Sequence, residues 1–305
     1  MLHPMKPILI RTGLRIFLVA LALNLTPWSV AQGPPAVAPS ELVRRAVANE
    51  IKTNTQGPKY MCRQRKETPD GSQTKLMVET RDAMVGMVVA NNDQPLSQEQ
   101  RRAEYGRIER FVNEPAELDH KRRQEKESAE RVNLILKALP DAFLYEYDGT
   151  ETGRPGVGKS GDQLLRLKFR PNPKYDPPSH VEQVLTGMQG VVLVDAQKQR
   201  IARIDGTLFR DVAFGWGILG HLDRGGHFQV DQADVRDDDN WTIARMDLAF
   251  TGKVLLFKSI NVKSTEIYGD FRPVPADLTF AQGIQLLKQQ QAAVAQNQPS
   301  CCSSK

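Results

Sequence analysis

Apolar residues run continuously near the start of this chain, then at helical spacing, then in alternation, and each pattern predicts a different element. Residues 16–25 (IFLVALALNL) form an unbroken apolar run, preceded by Lys6, Arg11 and Arg15 with no acid and followed by the small residues Ser29 and Ala31. That order predicts a cleavable signal peptide over residues 1–31. The run has about half the residues needed to cross a bilayer, and no Cys follows it to accept a lipid. The expected mature protein is periplasmic and neither membrane-spanning nor a lipoprotein. A Pro/Ala linker occupies residues 32–39, and Ser40 is a predicted N-cap. Leu42, Val43, Ala46, Val47 and Ile51 then recur at helical spacing, an apolar stripe that must pack on something.

Residues 60–66, 75–80 and 84–90 are short strand-like segments separated by Pro69-Asp70-Gly71 and Arg81-Asp82, which predicts an antiparallel meander. Residues 98–131 carry nine Lys/Arg and nine Asp/Glu in mixed order. Intermixed signs predict exposed helices laced with ion pairs, broken near Asn113-Glu114-Pro115. Residues 132–139 supply an apolar end before Pro140. Strand-and-turn texture then dominates: 143–147, 164–169, 189–194, 200–205, 207–214, 227–231, 242–250, 254–262 and 265–271 are candidate strands. Breakers such as Asp148-Gly149, Gly225-Gly226 and Thr251-Gly252 sit between them at hairpin distances. Residues 279–295 predict a closing helix with Phe280, Ile284 and Leu287 on one face. The expected fold is α+β, a large curved antiparallel sheet forming a half-open β-barrel with N-terminal, middle and C-terminal helices covering it. We expect one domain over residues 40–287, a charged helical insertion at 97–139, and a disordered Gln/Ser/Cys tail at 288–305.

Charge changes this picture little. The formal net charge is +5, but three of the positive residues lie in the leader, so the mature chain has no footprint for nucleic acid. Its three cysteines, Cys62, Cys301 and Cys302, are too few for a disulfide framework.

Gly153-Arg154-Pro155-Gly156-Val157-Gly158-Lys159-Ser160 satisfies the phosphate-loop pattern G-x-x-x-x-G-K-[ST], and residues 191–195 (VVLVD) resemble its partner acid strand. That chemistry needs a helix opening directly after the loop. Here Leu164 to Phe169 alternates like a strand, and Pro171 and Pro173 follow, so a chance match in a Gly-rich hairpin is expected. His221-Leu222-Asp223-Arg224-Gly225-Gly226-His227 lacks zinc-helix spacing and reads as a turn, as does Asp237-Asp238-Asp239-Asn240. No G-x-S-x-G elbow is present. No metal, cofactor or catalytic residue is assigned, and a non-enzymatic protein is expected; a hydrolase remains an alternative.

Large apolar side chains on the strands are the stronger signal. Met84, Met87, Phe209, Phe214, Trp216, Phe228, Trp241, Met246, Phe250 and Phe257 are candidates to line an apolar cavity on the concave face of the sheet. The N-terminal helix, the meander, the turn Val194-Asp195-Ala196-Gln197-Lys198-Gln199-Arg200 and the continuation Ile204-Asp205-Gly206-Thr207-Leu208 together resemble the periplasmic outer-membrane lipoprotein carrier superfamily of LolA, LolB and RseB type. Gly187-Met188-Gln189-Gly190, Phe214-Gly215-Trp216-Gly217-Ile218-Leu219-Gly220 and Tyr268-Gly269-Asp270-Phe271-Arg272 are similar to an uncharacterised exported bacterial branch of it. The resemblance implies a half-open barrel whose cavity receives lipid or lipoprotein acyl chains for transfer or sensing. A module that binds an envelope membrane protein is the alternative.

Overall fold

Residues 37–214, 220–236, 240–254 and 258–296 are described by a computed structural model. The expected signal peptide, residues 32–36, Trp216, Asp237 to Asp239, Phe257, Cys301 and Cys302 lie outside them. The described chain is α+β. In order it forms α1 (Pro39–Gln56), β1 (Lys59–Thr68), β2 (Gly71–Val78), β3 (Val85–Asn91), β4 (Gln94–Pro95), α2 (Gln98–Asn113), α3 (Pro115–Ala142), β5 (Phe143–Thr152) and β6 (Gln163–Pro171). A short α4 (His180–Gln183) precedes β7 (Met188–Asp195), β8 (Ile201–Leu208), β9 (Val212–Phe214), β10 (Gly220–Leu222), β11 (His227–Asp234), β12 (Trp241–Val254), β13 (Lys258–Val274) and α5 (Phe280–Gln296). The strands form one open, curved sheet in the order β4-β3-β2-β1-β13-β12-β11-β8-β7-β6-β5, with β9 and β10 added beside the end of β12.

Several boundaries differ from the sequence reading for local physical reasons. Helix α1 starts before Ser40, with Pro39 in its first turn, where a missing N–H costs nothing. Helix α3 passes through Pro140 to Ala142, because a proline in the last turn disrupts few hydrogen bonds. Strand β13 runs unbroken across residues 263–264, and β12 runs through Thr251-Gly252 rather than turning there. Gly252 answers a close approach: a Cβ would lie 2.2 Å from the His221 carbonyl oxygen on β10. Helix α5 continues past Leu287 to Gln296, held to α2 by Lys288–Glu109 and by the Tyr105 hydroxyl, which donates to Gln291 Oε1 at 2.9 Å.

Helices cover opposite faces of the sheet at its two ends. Directly paired residues share a face, and the register carries Met246 through Glu266 and Lys66 to Gln73. Leu76 and Val78 therefore point the other way, where they pack with Met61, Val85 and Met87 under Ile108 of α2 and Phe280, Ile284 and Leu287 of α5. On the concave face, Leu165, Leu167 and Phe169 of β6 and Val192 and Val194 of β7 pack under Leu42, Val43, Ala46 and Val47 of α1 and Leu139 of α3.

One buried polar lock fixes α1 over this second core. Glu50 is 3% exposed and accepts from Arg200 Nε at 2.8 Å, Arg200 Nη2 at 3.0 Å, the Ile201 amide at 3.0 Å and Gln232 Nε2 at 3.2 Å. Arg200 also lies 5.8 Å from the Trp241 ring centroid. Breaking one half of such a buried pair strands the other charge.

The opposite edge of the sheet is finished by charged helices. Strand β4 pairs only with Ala90 and Asn91, so the preceding stretch of β3, paired with β2 on its inner side, has no strand partner on its outer side. Its outward groups meet side chains instead. The Val88 amide donates to Glu104 Oε1 at 2.7 Å, Arg107 Nη2 donates to the Gly86 carbonyl at 2.8 Å, and the Met84 amide donates to Glu125 Oε2 at 3.0 Å. The expected charged insertion thus protects an edge that would otherwise invite intermolecular pairing.

Two expectations follow. Glu50→Ala should lower unfolding free energy by about 3–5 kcal/mol in urea titration, and a Glu50→Leu/Arg200→Met double variant should lose less than the two single losses combined; additive losses would contradict the lock. Glu104→Ala should increase concentration-dependent association in light scattering, whereas an unchanged monomer would show that the edge is guarded by something else.

Candidate functional site

Between the α1/α3 roof and the sheet lies a cavity of ≈ 410 Å³. Its floor comes from alternate inward positions on six strands: Phe143 and Tyr145, Phe169, Met188 and Val192, Ile201 and Ile204, Phe228 and Val230, and Met246, Leu248 and Phe250. The roof is Val43 of α1 with Val132, Ile135, Leu136 and Leu139 of α3, and Val184 and Leu185 close one side. A sheet strand sends every second side chain to one face, so these apolar residues converge although they are scattered through the chain.

The polar members of the wall, Glu50, Asn54 and Gln232, gather at the α1 lock. Glu50 and Gln232 are engaged with one another, as described above. The Tyr145 hydroxyl donates to the Leu139 carbonyl at 2.8 Å, and burial pushes its pKa up, keeping it a neutral phenol. Among the described residues the cavity therefore presents hydrocarbon and aromatic surface with no uncompensated charge. It suits an apolar guest.

Access is visible in α3. Residues 126–132 of this helix (KESAERV) are all exposed, so about two turns bury no side chain against the rest of the fold. Where they meet the cavity, the lining residues Val132 and Ile243 are 55% and 38% exposed. These two side chains mark the mouth.

The ten candidates from the sequence divide. Phe228, Met246 and Phe250 line the cavity. Phe214 packs on the same core outside its wall. Met87 is fully buried in the core on the other face, and Met84 lines a separate pocket at the β3 edge. Phe209 is exposed beside Arg210, with 5.7 Å from guanidinium to ring. Trp241 is buried in a small separate cluster with Val157, Leu164, Leu193 and Ala202, not in the cavity wall. Trp216 and Phe257 are outside the described residues. The roof residues were legible as buried stripes on α1 and α3; nothing local distinguishes a cavity-lining Leu136 from one in solid packing.

The Gly-rich segment has a structural use. It links β5 to β6, and its Val157 packs with Leu164, Leu193, Ala202 and Trp241 in a small separate cluster. The Gly158 amide donates to the Gln232 carbonyl at 2.7 Å, and Lys159 Nζ stands 3.7 Å from Asp234 Oδ2. Gly156 and Gly158 have φ of 85° and 69°, and a Cβ on Gly153 would lie 2.0 Å from the Lys159 carbonyl oxygen. The loop opens into strand β6, so it lacks the helix N-terminus that cradles phosphate. His221 and His227 contact different carboxylates, Asp223 at 3.2 Å and Asp205 at 3.0 Å. Among the described residues no three potential metal-ligating side chains converge.

No family model and no curated protein matches the chain. A solved structure of a DUF1329 family protein from Desulfovibrio piger is similar at 10% identity and a TM-score of 0.27, covering 78% of this chain and 94% of that one. Such a likeness carries no functional information. No helix of the described residues is long and apolar enough to cross a membrane.

Gly153→Ala should destabilise the protein by more than about 2 kcal/mol, in the range of severe packing substitutions, because backbone must move to admit the methyl. Thermal unfolding checks this, and a wild-type midpoint would contradict the structural role of the loop.

Proposed function

We propose that this protein is an exported, non-enzymatic carrier or sensor that holds an apolar ligand, a lipid or the acyl chains of a lipoprotein, under the α1/α3 roof. The observation that carries the reading is the ≈ 410 Å³ cavity, walled by Phe143, Phe169, Met188, Phe228, Met246 and Phe250 and opening beside Val132 and Ile243. Its volume falls within the range of about 300–1,000 Å³ common to small-molecule sites. Glu50 and Gln232 on its wall hold each other, and this reading gives the site binding and release as its chemistry. Residues 1–31 supply the export signal in this reading, and delivery occurs in the periplasm.

Delipidated protein should bind a dansyl-labelled undecanoic acid saturably at one site. Leu136→Trp, which places an indole in the roof, should weaken binding at least about tenfold, a loss of about 1.4 kcal/mol; Phe209→Ala, outside the cavity, should not. Absence of saturable binding, or equal binding by Leu136→Trp, would overturn the reading.

A further inference from the structure

A second pocket, ≈ 500 Å³, lies at the capped edge of the sheet between β2, β3 and helices α2 and α3. Its apolar wall is Met77, Met84, Phe111 and Phe280, with the two phenyl rings 5.7 Å apart between centroids. Its charged members are Lys75, Arg107 and Lys121 against Glu104 and Glu125.

The two carboxylates are already engaged. Glu104 accepts from Arg107 Nε at 2.7 Å and Nη2 at 2.7 Å, as well as from the Val88 amide. Glu125 pairs with Lys121 at 2.7 Å and accepts from the Met84 amide. On the same face, Glu266 is closed by Lys66 at 2.8 Å, Gln64 at 2.8 Å and Tyr268 at 2.6 Å. Lys75 is left half-buried with no hydrogen bond or ion pair among the described residues. Burial, with Arg107 and Lys66 nearby, outweighs the opposing pull of Glu104 and Glu266 and brings its amine below the ordinary lysine value. A desolvated ammonium whose neighbouring carboxylates are already held by other cations is costly, and an anion at this position would relieve that cost.

We propose that this pocket is a binding site for an organic anion, whose carboxylate or phosphate meets the Lys75 ammonium and whose aromatic or aliphatic body lies against Met77, Met84, Phe111 and Phe280. It is separate from the acyl cavity. Three strand steps, about 14 Å at the usual spacing, divide Met246 of the cavity from Gln73 of the pocket, and the polar side chains Glu266 and Lys66 stand between them.

Isothermal titration of the mature protein with 2-naphthoate, its neutral analogue 2-naphthamide and inorganic phosphate tests this. Naphthoate should bind at least about tenfold more tightly than naphthamide, as one charge-assisted hydrogen bond allows. Lys75→Met should abolish that preference, Lys75→Arg should retain it, and Leu136→Trp, which fills the other cavity, should leave it unchanged. Equal affinity for acid and amide, a preference that survives Lys75→Met, or displacement of naphthoate by an equal concentration of phosphate would each overturn the proposal.

Discussion

Glu50 sits on α1 far from water and receives four hydrogen bonds from three residues, Arg200 just before β8, Ile201 of β8 and Gln232 of β11. A carboxylate so placed is tolerable only while all its donors stay in position. The register of α1 over the sheet is therefore set by this one group. With α1 fixed, Val43 and its neighbours stand over β6 to β8, α3 has a helix to lean on, and the space between roof and floor keeps its shape. The same carboxylate closes the polar end of the cavity, so the lock and the site share a residue.

A sheet this wide has more surface than five helices can cover, and the chain uses its two faces unequally. Helices α2 and α5 cover the convex face of β1 to β3 and bury Ile108, Ile284 and Leu287 against it. On the concave face the roof buries side chains along α1 and the last part of α3, while residues 126–132 of α3 are all exposed. The apolar floor is thus partly roofed instead of filled. Toward β13, β1 and β2 the same face turns polar, with Glu266, Tyr268, Gln64, Lys66 and Lys75 in succession. One continuous surface offers hydrocarbon at one end and charge at the other.

Elements with a local signal were readable from sequence. The α1 stripe, the break between α2 and α3 at Glu114, and the alternation in β6 depend on neighbours a few residues away, and each is where the pattern placed it. Gly252 misled because a glycine required by the close pass of β10 looks the same as a glycine required by a turn. The Gly153 to Ser160 segment is similar: positive φ and tight backbone contact produce the glycine spacing that a phosphate loop uses for other reasons. The site was readable only in part, through Phe228, Met246 and Phe250. Glu50 and Arg200 are 150 residues apart, and no periodicity announces their pairing or the cavity it shapes. Trp241 was misplaced because at the start of its strand it packs with Val157 of the Gly-rich loop, a long-range contact that no local pattern announces.

The most direct test of the account is native mass spectrometry of the protein purified from its own cells without detergent. The account predicts a noncovalent adduct of lipid mass in one-to-one ratio, removed by organic extraction and absent from Leu136→Trp. Protein that arrives at its bare mass, or carrying a polar metabolite that Leu136→Trp retains, would contradict it.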